Sequence, residues 1–333
     1  MDVKLDPALV EALRAIREVL PDPRGDRFIE QLRRMAAAGR PDLESLRSGG
    51  RVLVDELAIP GPAAGTTLNV LWLRPARAQS SPVPAVYFLH PGGMIAGDSR
   101  TGAGILIDFV LRLGVQAVSV EYRLAPENPF PAPLEDAFAG LEWLARNATP
   151  LGVDATRIVV AGASAGGHLA AGLAMMARDR HTPAVRGLVL IAPMLDDRGG
   201  QAAPLDVGRE GTWGVDANRV AWDAVLGNAR GGSRLPDYAV PARADLAGLP
   251  PTFLDVGSAE LFHDETVEFS AGLRRAGVPT ELRVWPGGFH GFDWSVPGAP
   301  ISLEAKSARV RWLAELLDLA DEADEVRNEG TQN

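Results

Sequence analysis

The hydrophobic positions of this chain follow two periods. Before residue 50 they recur at the spacing of an amphipathic helix, which predicts helices over 7–20 and 28–38. From Arg51 onward they form short runs rich in β-branched and aromatic residues, which are typical of strands. Eight of these runs predict strands, at Val52–Ile59, Leu68–Leu73, Ala85–Leu89, Val115–Val120, Arg157–Ala161, Gly187–Ile191, Thr252–Val256 and Glu281–Trp285.

Helical stretches separate most of these strands. They cover Gly104–Leu113, Pro133–Arg146, Ala165–Arg178 and Asp264–Ala276, and Ser302–Leu319 follows the last strand. Alternating strands and helices form βαβ units, which place the strands parallel and cover both faces of the sheet with helices. The first two strands flank a short connection with Gly and Pro, so they are expected to be antiparallel. The predicted fold class is α/β, with an eight-stranded, mostly parallel sheet over residues 51–320.

One interval, residues 194–249, breaks the alternation. It is rich in Gly, Pro and Ala, and it has a helical patch at 215–226 with Trp213 and Trp222 in or beside it. A stretch this long without strands is usually functional or disordered, and the two tryptophans argue against disorder. We therefore expect a cap segment here that meets a first helical cap segment at 1–50. The alternative for the helices of residues 1–50 is that they form an N-terminal extension that packs on the domain and is not part of a cap.

Composition narrows the possible partners and the location. The chain has 33 Lys and Arg against 43 Asp and Glu, a net charge of −10, which argues against nucleic acid or an anionic membrane as its partner. It has no cysteine, which excludes disulfides, a catalytic thiol and thiolate metal sites. No apolar run is long enough for a membrane span, and residues 1–20 lack the apolar core of a signal peptide, so we expect a cytoplasmic location. The acidic residues 321–333 predict a disordered tail.

A strand, a turn of small residues and a helix surround Ser164. The sequence Gly162-Ala163-Ser164-Ala165-Gly166 fits the G-x-S-x-G nucleophile elbow, which predicts Ser164 as a nucleophile. A serine hydroxyl needs a base, and the base needs an acid to orient it. In open α/β sheets such residues follow the carboxyl ends of strands. Glu260 follows the seventh predicted strand and His290 follows the eighth, in the order expected for this class of triad.

His290 is the favoured base among five histidines because it lies on a glycine-rich loop. We interpret His168 as a packing residue, His181 as solvated and His263 as part of the acid loop. His90 begins the segment His90-Pro91-Gly92-Gly93 after the third strand, where we expect it to anchor a loop of oxyanion donors. The predicted donors are the backbone N–H groups of Gly92, Gly93 and Ala165, since proline has no N–H group.

Four motifs in order resemble the hormone-sensitive-lipase-like branch of the α/β-hydrolase superfamily, over about residues 51–320. His90-Pro91-Gly92-Gly93 is similar to the His-Gly-Gly-Gly of that family, and Tyr122-Arg123-Leu124-Ala125-Pro126-Glu127 matches its Tyr-Arg-Leu-Ala-Pro-Glu segment. The elbow and His290-Gly291-Phe292 complete the resemblance.

Two positions depart from the family pattern. Pro91 replaces the first glycine, which leaves Gly92 and Gly93 as donors. The family usually carries Asp-Pro-Leu-x-Asp-Glu, whereas this chain has Glu260-Leu261-Phe262-His263-Asp264-Glu265. By register Glu260 falls at the triad acid and Asp264 at the second aspartate. Asp264 is expected to be a helix N-cap and is the alternative acid.

The resemblance implies a serine carboxylesterase that hydrolyses short- to medium-chain esters. No cofactor is expected, and no catalytic metal is expected because the sequence has no H-E-x-x-H motif and no cluster of His and Asp. An amidase, carbamate hydrolase or lactonase would use the same triad. A ligand-binding protein like the gibberellin receptors is a further alternative, although those proteins lack the catalytic histidine. The resemblance also allows a homodimer through the edge of the eighth strand. A phosphate-binding loop is disfavoured because His168-Leu169 follows the glycines where Lys and Ser or Thr would be required.

Overall fold

The computed structural model describes residues 4–77, 81–199, 211–235 and 238–321. Its described part has one eight-stranded sheet in the order β1-β2-β4-β3-β5-β6-β7-β8. β1 pairs antiparallel with β2, and β2 pairs antiparallel with β4, whereas all other neighbours are parallel. The strands are β1 (Val52–Pro60), β2 (Thr67–Pro75), β3 (Val83–Leu89), β4 (Gln116–Val120), β5 (Val153–Ala163), β6 (Gly187–Ile191), β7 (Thr252–Gly257) and β8 (Thr280–Trp285).

Helices connect and cover the strands. Glycines in the left-handed conformation end two of them, at Gly114 and Gly152, and proline begins the last one at Pro300. The described helices are α1 (Val10–Val19), α2 (Phe28–Ala38), α3 (Leu43–Leu46), α4 (Ala103–Leu113), α5 (Ala132–Arg146), α6 (Ala148–Leu151), α7 (Ala165–Arg180), α8 (Val215–Leu226), α9 (His263–Arg275), α10 (Phe292–Ser295) and α11 (Pro300–Leu317).

Two hydrophobic clusters cover the two faces of the sheet. Along β3, Tyr87 and Leu89 belong to the cluster that includes α5 and α7, while Val86 and Phe88 belong to the cluster that includes α4 and α11. Successive side chains of a strand point to opposite faces, so a strand between two helical layers is buried on both sides. This explains why β3 is a continuous apolar run.

The predicted fold class is confirmed, including the antiparallel first pair and the position of the serine turn after the fifth strand. The predicted helix over 7–20 begins instead with a 3-10 turn at Pro7–Leu9, and α1 follows it. The short helices α3 and α6 were not predicted, because four residues are too few to show a helical period. β5 begins at Val153, earlier than predicted, because Val153 pairs with Val83 across a register shift.

The N-terminal helices pack in different places. Leu9 and Leu13 belong to the cluster of α4 and α11, whereas Phe28 and Leu32 of α2 belong to the same cluster as Trp213 and Trp222. The division into cap and catalytic domain stays a prediction, and α2 and α8 are the elements that fit a cap. The predicted tail lies outside the described residues except for Asp321. Where the chain is described, none of its helices is long and apolar enough to cross a membrane.

Candidate active site

Ser164 lies at the turn between β5 and α7 in a strained backbone conformation. Its φ is 55° and its ψ is −119°, a region that non-glycine residues rarely adopt. The turn is held from two sides, because Ser164 N donates to the carbonyl oxygen of Ile191 at 2.8 Å and Met194 N donates to that of Ser164 at 3.0 Å. Such strain persists only where the surrounding structure fixes the backbone.

The glycines around Ser164 allow a strand and a helix to approach closely. A Cβ at Gly166 would lie 1.9 Å from the carbonyl oxygen of Leu89, and one at Gly162 would lie 2.1 Å from that of Gly166. Any side chain at these two positions would therefore push α7 away from β3 or β5. The close approach is the physical reason for the small residues of the motif.

The structure brings Ser164, His290 and Glu260 into one hydrogen-bonded row. His290 Nε2 lies 3.0 Å from Ser164 Oγ, and His290 Nδ1 lies 2.5 Å from Glu260 Oε2. The other carboxylate oxygen, Glu260 Oε1, accepts from the N–H of Gly257 at 2.9 Å. All three side chains are buried. With the carboxylate accepting from Nδ1–H, Nε2 is left to accept the proton of the serine hydroxyl.

Asp264, the alternative acid, does not reach His290. Its side chain is 84% exposed and accepts from Nδ1 of His263 at 2.7 Å. The expected N-cap role is also wrong, because α9 begins at His263 and Asp264 lies inside its first turn. The register of the motif therefore places the longer carboxylate of Glu260, and not Asp264, beside the imidazole.

The other histidines lie away from the serine hydroxyl. His90 stacks on Tyr122 with ring centroids 4.0 Å apart, and the Tyr122 hydroxyl donates to the His90 carbonyl oxygen at 2.7 Å. Burial lowers the pKa of both His90 and His168 to about 4, so both rings are neutral near pH 7. His181 is exposed at the end of α7. His90 thus lies where it can anchor the Gly92–Gly93 loop.

Gly92 and Gly93 form a tight turn that other residues could not adopt without strain. Their φ angles are 130° and 66°, and the N–H groups of Ile95 and Ala96 both donate to the Gly92 carbonyl oxygen. A Cβ at Gly93 would lie 2.6 Å from Cη2 of Trp213. Ala165 is the first residue of α7, so its N–H has no acceptor within the helix. These are the N–H groups that the sequence predicts as oxyanion donors.

Two residues that sequence reasoning did not assign, and Trp213 of the predicted cap segment, touch this region. Arg33 of α2 donates from Nε to the carbonyl oxygen of Ile95 at 2.7 Å, just beyond the glycine turn. Thr212 donates from its hydroxyl to the carbonyl oxygen of His290. Trp213 packs on Gly93. Trp213 lies in the interval without strands, residues 194–249, and this position indicated a cap segment in the sequence. Nothing in the sequence distinguishes Arg33 from the other polar residues of α2.

A cavity of about 530 Å³ lies apart from the hydrogen-bonded row. It is formed between the connection of β1 to β2 and the helices α5 and α7, with Thr66, Phe138 and Arg180 in its lining. None of its lining residues is one of the predicted site residues. Across the described ranges, no group of three His, Cys, Asp or Glu side chains is arranged to hold a metal ion.

The serine elbow, the eight-stranded sheet and the order of Ser164, Glu260 and His290 along the chain define a hydrolase of the α/β type. The family described as alpha/beta hydrolase fold matches residues 86–293, so the chain belongs to this family. Its relatives include the esterase LipI of Mycobacterium tuberculosis, 32% identical over 310 residues that make up 90% of this chain and 92% of that protein. The carboxylesterase NlhH of the same organism is 35% identical over 231 residues, covering 67% of this chain and 70% of NlhH.

A solved structure gives the same result for the fold. A bacterial heroin esterase superposes with a TM-score of 0.84 at 32% sequence identity, covering 94% of this chain and 98% of that one. The resemblance to hormone-sensitive-lipase-like carboxylesterases is thereby confirmed. With 94% of this chain covered, the similarity extends well beyond residues 86–293.

Proposed function

We propose that this protein is a carboxylic ester hydrolase that acts through a covalent acyl-enzyme. The observation that carries the proposal is the buried row of Ser164, His290 and Glu260, with contacts of 3.0 and 2.5 Å. The named esterases among its relatives support the reaction class. In this proposal Ser164 is the nucleophile, His290 the general base and Glu260 the acid that orients it.

The reaction proceeds by two acyl transfers. His290 Nε2 takes the hydroxyl proton as Ser164 Oγ forms a bond to the ester carbonyl carbon, and Glu260 stabilises the imidazolium. The N–H groups of Gly92, Gly93 and Ala165 hold the oxyanion. The imidazolium then returns the proton to the leaving alcohol as its C–O bond breaks. In the second half His290 Nε2 takes a proton from water as the water oxygen forms a bond to the acyl carbon. The imidazolium then returns that proton to Ser164 Oγ as the acyl C–O bond to the serine breaks, which releases the carboxylic acid.

The substrate class is a short- to medium-chain ester in the proposed mechanism. Trp213 supports this restriction because its ring lies against Gly93, where a bulky acyl group would need space. An amidase, carbamate hydrolase or lactonase would use the same residues on a substrate with a different acyl or leaving group. A cap over the site formed by residues 1–50 and 194–249 and a cytoplasmic location stay predictions from the sequence. A homodimer through the edge of β8 stays a prediction from the family resemblance.

Hydrolysis of p-nitrophenyl esters of increasing acyl length tests the reaction and the chain-length preference together. We expect turnover to be highest from acetate to about hexanoate and to be lost in Ser164→Ala. An organophosphate should label the wild-type protein on Ser164, since only an activated serine reacts in this way. Absence of both turnover and labelling would favour a ligand-binding protein. Faster cleavage of long-chain triglyceride emulsions would contradict the substrate class.

A further inference from the structure

A buried network of charged side chains joins β7, α10 and α11. Arg309 of α11 donates from Nε to Asp255 Oδ2 at 2.7 Å, and its Nη1 donates to Asp293 Oδ2. Arg309 Nη2 also lies 2.7 Å from Asp255 Oδ2. The same oxygen accepts from Trp285 Nε1 at 3.0 Å. All four side chains are buried, so one guanidinium holds two carboxylates away from solvent.

The two carboxylates lie on the element just before the proposed acid and on the element just after the proposed base. Asp255 is on β7, two residues before Gly257, and the N–H of Gly257 donates to Glu260 Oε1 at 2.9 Å. Asp293 is on α10, three residues after His290. Asp255, Asp293, Arg309 and Glu260 also line one cavity of about 10 Å³. The network is therefore next to the acid in space and is three residues from the base along the chain.

Stability alone is a poor explanation for this arrangement. Two aspartates and one arginine leave a net charge of −1 in the interior, and hydrophobic side chains of similar volume often stabilise a core at least as well as buried ions. Asp255 Oδ1 is buried and has no hydrogen-bond partner among the residues described. Burial raises the pKa of Asp255 to about 6, against the opposing effect of Arg309. What the arginine does supply is a planar fork that fixes two carboxylates in one geometry.

We propose that Arg309 is a positioning residue for the proposed hydrolysis, on which this inference rests. By holding Asp255 and Asp293 together, the Arg309 guanidinium fixes the strand before Glu260 against the helix after His290. The 2.5 Å contact between Glu260 Oε2 and His290 Nδ1 then depends on how far β7 lies from α10. A displacement of about 1 Å in such a contact is enough to lower turnover about 100-fold.

Arg309→Lys tests the geometry separately from the charge, because lysine keeps the cation and lacks the fork. Arg112→Lys is the matched control. Arg112 of α4 also bridges to a buried carboxylate, Asp321, and donates to Ser307 of the same helix α11 at 3.2 Å. Both variants should lower the unfolding temperature. Only Arg309→Lys should lower kcat, by about 10- to 100-fold with KM nearly unchanged.

Asp293→Asn keeps the inference testable if Arg309→Lys does not fold. Asparagine has the same shape and leaves the contact of Arg309 with Asp255 intact, so kcat should fall by only about threefold to tenfold because the charge-assisted bond becomes a weaker neutral one. A folded Arg309→Lys or Asp293→Asn protein with a kcat within about twofold of the wild type would overturn the inference. Equal losses of kcat in Arg309→Lys and Arg112→Lys would overturn it as well.

Proton NMR gives a readout that does not depend on turnover. The Nδ1–H proton of His290 in its short contact with Glu260 should give a low-field resonance, which Glu260→Gln removes. We expect this resonance to shift or broaden in Arg309→Lys and Asp293→Asn and to stay in place in Arg112→Lys. An unchanged resonance in both network variants contradicts the inference. A wild-type protein without hydrolytic activity contradicts the proposed function instead, and the resonance still tests the positioning.

Discussion

Arg33 of α2 donates from Nε to the carbonyl oxygen of Ile95 at 2.7 Å and so fastens an N-terminal helix to the loop that follows the proposed oxyanion donors. Nη2 of the same side chain donates to the carbonyl oxygen of Ala125 at 2.9 Å. The N–H of Ala125 in turn donates to the carbonyl oxygen of Met94 at 2.9 Å. One guanidinium thereby connects α2 to both segments that support the Gly92–Gly93 turn.

Arg33→Met should loosen this turn and lower kcat/KM by about tenfold. Hydrogen bonds from a charged group to backbone carbonyls contribute roughly 1.5–3 kcal/mol, and partial exposure of Arg33 places the effect at the lower end. Glu127→Gln is the control, since it removes the exposed ion pair with Arg33 and leaves both carbonyl contacts. Steady-state kinetics on a short ester measure the effect. Equal kinetics in the two variants would show that the carbonyl contacts do not matter.

Glu260→Gln should lower kcat by about 10³- to 10⁴-fold, because an amide at this position no longer holds the imidazole tautomer that accepts the serine proton. Asp264→Asn should leave kcat within about twofold of the wild type, since its side chain points to solvent beside His263. Measurement of kcat for both variants with one ester is sufficient. Near-full activity in Glu260→Gln would contradict the assignment of the acid.

Gly93→Ala should lower kcat by about 100-fold or more. The added Cβ would meet the ring of Trp213 and force the turn out of its positive φ, which moves the proposed donor N–H. Gly104→Ala is a matched control. Gly104 is helical with open space at its Cβ position, so this change should raise stability by about 0.5–1 kcal/mol with unchanged kcat. Wild-type turnover in Gly93→Ala would remove Gly93 from the proposed donors.

Asp255 gives a pH dependence of stability with a defined sign. Desolvation raises its pKa from 3.8 to about 6, with Arg309 opposing and Asp293 adding to the shift. The folded state therefore binds this proton more tightly than the unfolded state, and its contribution to stability increases as the pH falls from about 7 toward 5. Relative to Asp255→Asn, the free energy of unfolding of the wild type should rise by about 1–2 kcal/mol over this range.

Urea unfolding of the wild type and of Asp255→Asn at several pH values measures this difference. Comparison of the two proteins cancels the titration of all other groups that behave alike in both. A constant difference between pH 5 and pH 7 would contradict the raised pKa of Asp255. A wild type that loses stability relative to the variant as the pH falls would reverse the predicted sign.

The local pattern of the chain determined the strands, the main helices and the serine turn. Alternating or continuous apolar runs indicate whether a strand is buried on one face or on both. The small residues around Ser164 indicate that a strand and a helix approach each other closely. Both features can be predicted from the local sequence, without knowledge of which elements pack together. The positions of Ser164, Glu260 and His290 after the fifth, seventh and eighth strands also follow from the chain. Helices of four residues, such as α3 and α6, carry too little pattern to be predicted.

Only the tertiary structure decided which side chains meet. Glu260, and not Asp264, reaches His290 because α9 turns Asp264 outward, a direction that depends on where the helix begins. Arg33 reaches Ile95 across 62 positions of sequence, and Arg309 reaches Asp255 across 54. Contacts of this kind depend on crossover connections and on packing between layers, so the hydrophobic periodicity of a single segment does not predict them. The sequence by itself therefore determined the sheet and the candidate nucleophile, whereas the arrangement around the proposed acid and base was decided by the packing of distant helices.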